Sequence, residues 1–326
     1  DKTKIKKNKV TKKNIIVMVI WIIISIFVIY QLFQLVMYTL GKRDKETMWL
    51  YNGVNAFIEM IIGEKSPTDV TEEYTLRFAG LGDIYFTTNM IRGARSGSTY
   101  DFTQGTATIA DNLKEYDLVV ASLKTPIADS SLGYSTKTVY NAPKEVVELL
   151  KNLNISAVAT ATNHALDKNE KGVEDTIANL ESAGIKQTGI NLDYRKEPII
   201  LEKNNIKIGF ISYATSSNVK MSSSNTYLLN VFDEEELQED VEYLKNNSVD
   251  FIVAYLNVPN EDIIMVNSTQ KKTTEKLFEA GIDVVLGSGS MVVQESIEEQ
   301  TADSKHIYSI YSLGDFCGSY VTDEIH

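Results

Sequence analysis

DLVVASLKTP, residues 117–126, decides the architecture. Its centre, Leu118–Leu123, is short enough for one strand and apolar at every position but Ser122. A strand covered on both faces reads this way, whereas a half-exposed strand would alternate. Similar runs recur on either side: YTLRFAG (74–80), SAVAT (156–160), PIILE (198–202), IKIGFIS (206–212), FIVAYL (251–256), DVVLG (283–287) and HIYSIYSL (306–313). The first of these is expected to close on a glycine turn, Gly80-Leu81-Gly82-Asp83. Between the runs the period lengthens to that of helices: Gln104–Glu115, APKEVVELLKNLN (142–154) with Pro143 in its first turn, Lys171–Ala183 stopped by Gly184, Glu234–Lys245 and Gln270–Ala280. Glu234, Glu235 and Glu236 read as an acidic first turn that complements the helix dipole. Apolar strands alternating with helices predict an α/β layered fold, with helices packed on both faces of central β-sheets.

Upstream of Tyr74 the chain changes character. Residues 1–14 hold seven lysines and one aspartate, and Ile15–Leu40 follows with 26 positions free of charge. About 20 apolar residues cross a bilayer, so 15–40 is expected to be a single transmembrane helix. The flanking lysines place the N-terminus in the cytoplasm and everything after Gly41 outside the cell membrane. Met48, Tyr51, Val54, Ile58 and Ile61 recur at helical spacing, and the polar stretch 63–73 reads as a linker. Residues 41–73 are thus a juxtamembrane helix and linker, and 74–326 an external domain.

Charge and composition narrow the function. The whole chain carries −12, and without the basic tail the remainder holds 25 basic and 43 acidic residues, a net −18. So acidic a body excludes nucleic acid as a partner. The lone Cys317 excludes an internal disulfide, and three histidines exclude a histidine-rich metal site. Cys317 reads as a buried thiol. No phosphate-binding Gly-x-x-x-x-Gly-Lys loop and no Gly-x-Ser-x-Gly elbow occurs.

In layered α/β folds the chemistry sits beyond the carboxyl ends of the strands. Those ends are Gly82-Asp83, Ser122 to Pro126, Thr162 to Asp167, Asn257 to Asn260, Gly287 to Met291 and Ser312 to Phe316. The candidate cleft residues are therefore Asp83, Lys124, Asn163, His164, Asn257, Ser288 and Ser290. Each has a structural reading too. Asp83 can satisfy turn amides, Asn163 and His164 can anchor a loop, Lys124 can be a surface lysine, and Asp315 reads as a turn residue.

FAGLGD, DLVVASLKTP, ATATNHALD, FIVAYLN, DVVLGSGSMVVQ and YSLGDF, in this order, resemble the poly-γ-glutamate capsule synthesis protein family, CapA. That family is itself similar to calcineurin-like metallophosphoesterases. The resemblance implies a metallophosphoesterase-type layered fold from about Tyr74 onward. It also implies strand-end loops carrying two-metal ligands: Gly-Asp, Asn-Leu-Glu, Asn-His, a later histidine and a His-rich loop. Asp83, Asn163 and His164 keep that pattern. Ser122-Leu123-Lys124 stands at the Asn-Leu-Glu position, Asn257 at the later histidine, and Gly287-Ser288-Gly289-Ser290-Met291 at the His-rich loop. Two cations about 3.5–4 Å apart need several carboxylate and imidazole ligands. The residues left support no cofactor, or at most one weakly held divalent cation through Asp83, Asn163 and His164.

The resemblance implies an accessory protein in synthesis or export of poly-γ-glutamate or a related surface polymer; the apolar run makes it membrane-anchored and the lost ligands make it noncatalytic. Its partners would be other membrane subunits and an anionic polymer. The alternative is an extracellular metal-dependent phosphoesterase with a reduced site. A body of −18 repels an anionic polymer, so binding one requires a local basic patch. Lys124 is expected to stand in for a cation, neutralising Asp83 and donating to the Asn163 amide oxygen.

Overall fold

The computed structural model describes residues 74–193, 197–223, 225–301 and 305–318, all within one unit, Tyr74–His326. The basic tail, the apolar segment 15–40 and the juxtamembrane stretch 41–73 lie outside these residues. Among the described residues, no helix is long and apolar enough to cross a membrane.

Within the described residues, thirteen strands and six α-helices follow in chain order: β1 (Phe78–Ile84), α1 (Thr88–Gly93), β2 (Arg95–Ser96), β3 (Thr99–Tyr100), α2 (Ala107–Leu113), β4 (Leu118–Leu123), α3 (Val146–Asn152), β5 (Ile155–Ala159), α4 (Asn169–Ser182), β6 (Lys186–Thr188), β7 (Ile199–Lys203), β8 (Ile206–Ala214), α5 (Glu234–Asn246), β9 (Phe251–Asn257), α6 (Ser268–Ala280), β10 (Val284–Ser288), β11 (Ser296–Gln300), β12 (His306–Ile310) and β13 (Asp315–Cys317). One sheet runs β13-β1-β4-β5-β6 and is parallel throughout. The other runs β11-β12-β10-β9-β8-β7, parallel at its centre, with β11 and β7 as antiparallel edges.

The apolarity of β4, broken only at Ser122, has a direct cause. Leu118 and Val120 face the second sheet, where they meet Phe210, Val253, Tyr255 and Leu286. Val119, Ala121 and Leu123 face the other way, onto Val146, Leu149 and Leu150 of α3. On β9, Ile252, Ala254 and Leu256 meet Leu237, Val241 and Leu244 of α5 and Leu277 of α6. The order is helices, sheet, sheet, helices, so helices cover the two outer faces of stacked sheets. The capping residues lie where the helices begin: the Asp233 side chain accepts from the Glu235 and Glu236 amides, and Asn267 forms a reciprocal capping box with Gln270.

Three expectations need correction. The Gly80–Asp83 turn is strand: β1 continues through it to Ile84. Gly82 is there because Gly314 presses on it. A Cβ at Gly82 would come within 2.0 Å of the Gly314 carbonyl oxygen. Asp315 is likewise no turn residue but opens β13, paired in register with Asp83. At the other end, the 306–313 strand stops at Ile310.

Candidate functional site: a buried lysine–carboxylate cleft

The parallel strands β1, β4, β5, β9 and β10 bring their carboxyl ends to one edge of the stacked sheets. Across β1 and β4, Asp83 pairs in register with Ser122, and the Lys124 amide donates to the Ile84 carbonyl at 2.8 Å. This places Asp83 and Lys124 on neighbouring strand ends. Lys124 Nζ lies 3.8 Å from Asp83 Oδ2, and both side chains have no solvent exposure. Lys124 is therefore not a surface lysine. Its ammonium also lies 3.9 Å from Glu261 Oε1, a half-exposed carboxylate, and 5.8 Å from the centre of the Tyr85 ring.

Carboxylates crowd this lysine. Asp83 Oδ2 accepts from the Gly289 amide at 3.1 Å, and Tyr85 donates to Asp315 Oδ2 at 2.7 Å. Burial pushes the Asp315 carboxyl up to about 6; the nearby Asp83 charge adds to this, while the Tyr85 bond and Lys124 oppose it. The Tyr85 phenol is raised by burial first and by Asp315 second. Tyr255 is also raised by burial and donates to the Leu81 carbonyl at 2.8 Å. Cys317 is half-buried, and burial pushes its thiol up to about 11, so it stays protonated at neutral pH.

The other expected residues fall into separate groups. The Asn163 amide N–H donates to Asn257 Oδ1 at 3.0 Å, and Asn257 Nδ2 donates to Ser288 Oγ at 3.0 Å. Asn163 Nδ2 donates to Asn218 Oδ1 at 3.1 Å. Ser290 turns away from that chain and donates to the Ile263 carbonyl at 2.9 Å. His164 is a loop anchor: Nδ1 lies 2.7 Å from Asp167 Oδ2, and the ring stacks on Tyr140 at 4.1 Å. With Nδ1 donating to Asp167, Nε2 accepts from Asn218 Nδ2 at 3.1 Å.

One expected contact is missing. Lys124 Nζ and Asn163 Oδ1 are both buried without a hydrogen-bond partner, as are Asp83 Oδ1, Asp315 Oδ1, Ser122 Oγ and Thr162 Oγ1. The Asn163 amide is oriented by Asn218 instead. Tyr85, Glu261 and the strand position of Asp315 were not foreseen as parts of this cleft. The tyrosine sits only two positions beyond Asp83, which was the available signal. Glu261 lies in a loop after β9 with no motif of its own.

The two-metal site implied by the family resemblance does not fit these residues. Among the described residues, no group of three or more His, Cys, Asp or Glu side chains could hold a metal ion. A cation beside Asp83 would face the Lys124 ammonium, and His164 is engaged by Asp167 and Asn218.

Fold and cleft together define a class: a two-sheet α/β sandwich with a lysine-centred polar group at its parallel strand ends. Within that class, the chain belongs to the family described as bacterial capsule synthesis protein PGA_cap, which it matches over residues 77–320. It is 24% identical over 206 residues to the PGA biosynthesis protein CapA of Bacillus subtilis (strain 168), covering 61% of this chain and 53% of that protein. The chain thus spans about half the length of this curated relative. Among solved structures, it is similar to a 5'-nucleotidase precursor from Thermus thermophilus, at a TM-score of 0.41 and 13% identity, over 64% of this chain and 43% of that one. The sulfate thiohydrolase SoxB of Thermus thermophilus, in complex with glycerol, gives 0.39 and 13% over 64% and 42%.

Proposed function

We propose that this chain is a noncatalytic, membrane-anchored subunit that assists synthesis or export of poly-γ-glutamate or a related surface polymer. In this reading the domain is a metallophosphoesterase-like sandwich whose metal chemistry has been replaced by a fixed internal charge. The observation that carries it is the fully buried Lys124 ammonium, 3.8 Å from Asp83. A lysine there supplies the positive charge that Asp83 needs, without a dissociable ion and without a metal-activated hydroxide.

Family membership supports the link to capsule synthesis, and the name of the Bacillus subtilis relative supports the polymer. The apolar segment 15–40 and the lysines before it support a single-pass anchor with a cytoplasmic N-terminus and an external domain. Its partners are then other membrane subunits of the same machinery.

Complementation tests this function. Deletion of the coding sequence in the source bacterium should lower cell-bound polymer. A plasmid copy carrying Lys124→Met with Asp83→Asn, which lacks both charges, should restore it. Failure of that variant at normal protein level, with restoration by wild type, would contradict a noncatalytic role.

A further inference from the structure

Outside the lysine cleft, one pocket on this acidic domain is basic. It has a volume of about 210 Å³ and is lined by Thr88, Ile91, Arg92, Arg95, Tyr100, Tyr134 and Ser135. Local structure places the two arginines together. Arg92 lies in the last turn of α1, and two residues past Gly93 the chain enters the β2–β3 hairpin, where Arg95 pairs in register with Tyr100. Cross-strand partners share a face, so the Arg95 guanidinium and the Tyr100 ring project to the same side. The Tyr100 and Tyr134 rings meet edge to face at 5.6 Å and form a wall, and Thr88 donates to the Ser135 carbonyl at 2.7 Å to hold α1 against the 134–135 segment.

The charges at this pocket are unspent. Among the described residues, Arg77 is paired with Glu115, but neither Arg92 nor Arg95 has a carboxylate within ion-pair distance. Arg95 makes a long bond, 3.4 Å, from Nε to the Gly97 carbonyl. Glu145, which accepts from Thr99 at 2.9 Å, and Asp129 both act on Tyr134 through their charges, but neither reaches ion-pair distance of Arg92 or Arg95. Both arginines are exposed, so their forks are free to meet a ligand. A guanidinium presents paired N–H groups that match a carboxylate bidentately, and flanking tyrosines supply apolar contact and cation–π faces. The pocket's size suits one acidic repeat unit rather than a large cofactor.

We propose that Arg92 and Arg95, against Tyr100 and Tyr134, form a subsite for the carboxylate groups of an anionic polymer. This is the local basic patch that an ectodomain of net −18 needs in order to hold a polyanion at all. The carboxylate chemistry follows from the pocket; the choice of poly-γ-glutamate as its source rests on the function proposed above. The subsite also adjoins the lysine cleft through the chain. Ser135 exchanges hydrogen bonds with Asn141, and the neighbouring Tyr140 stacks on both Tyr85 and His164, at 5.1 and 4.1 Å.

Titration of the detergent-solubilised full chain with fluorescently labelled poly-γ-glutamate tests the subsite, with inorganic polyphosphate as the competing polyanion. Saturable, salt-weakened binding of poly-γ-glutamate is expected. Arg92→Gln with Arg95→Gln should weaken it about tenfold or more, the range for charged hydrogen bonds, at an unchanged melting temperature. Arg92→Lys with Arg95→Lys should fall between, because an ammonium keeps charge but not the fork. Three results would each overturn the proposal: wild type that binds no poly-γ-glutamate, a Gln variant that binds as well as wild type, or binding of polyphosphate alone. None of these bears on the noncatalytic reading, which the complementation assay decides independently.

Discussion

Lys124 Nζ and Asp83 Oδ2 stand 3.8 Å apart at the carboxyl ends of adjacent parallel strands, with neither side chain exposed to solvent. At that distance the pair attracts through its charges but makes no hydrogen bond. A buried charge without its partner is expensive, so the energetics of each residue depend on the other. Lys124→Ala should therefore destabilise the domain by about 3–5 kcal/mol. Asp83→Asn should mask most of that loss in the double variant. Denaturant midpoints of the four proteins in the cycle measure the coupling, and additive effects would show that the two residues are independent.

Asp315 makes stability depend on pH. Its carboxyl is pushed up from 3.8 to about 6 in the folded protein, so the folded state holds the proton more tightly than the unfolded chain. The stabilisation is fully present below the unfolded value and is lost as pH rises through about 6. Asp315→Asn, which keeps an acceptor for Tyr85, should gain on wild type between pH 4.5 and 7.5, by less than the full shift implies because solvent screens this partly exposed carboxyl. Urea midpoints of both proteins at the two pH values check this; a constant difference would show that Asp315 does not set the pH dependence.

Gly82 tests the close approach of β1 and the segment before β13. A Cβ there would meet the Gly314 carbonyl oxygen at 2.0 Å, and backbone cannot swing aside as a long side chain can. Gly82→Ala should cost about 3 kcal/mol or more. Gly93→Ala, where a Cβ meets nothing within 4 Å, is the control and should leave the denaturation midpoint unchanged or slightly raised.

Much of this fold was legible because burial on both faces leaves a plain mark: β4 and β9 read as apolar runs, and α4, α5 and α6 lie within two residues of their expected limits. The misreadings share a physical cause. Glycines in strands resemble turns, yet Gly80 and Gly82 serve close approach, with Leu286 and Gly314 where Cβ atoms would be. Short elements such as α1, the β2–β3 hairpin and β13 have too few residues to show a period. In the cleft, Asp83 and Lys124 could be brought together from strand order alone. Glu261 and the Arg92–Arg95 pocket could not, because loop and hairpin conformations create them.

Topology is open to direct measurement. Seven lysines before an uncharged 26-residue run predict a cytoplasmic N-terminus. On intact cells a C-terminal tag should be cut by added protease and an N-terminal tag should be protected. The reverse pattern would contradict both the orientation and the surface-polymer function.

If Lys124 takes the place of metal at the strand ends, the purified protein holds none. The full chain, purified in detergent and dialysed after exposure to Mn²⁺ or Zn²⁺, should retain no stoichiometric metal and hydrolyse no generic phosphoester. Two retained equivalents, with phosphoester hydrolysis abolished by a chelator, would show that Lys124 does not replace metal.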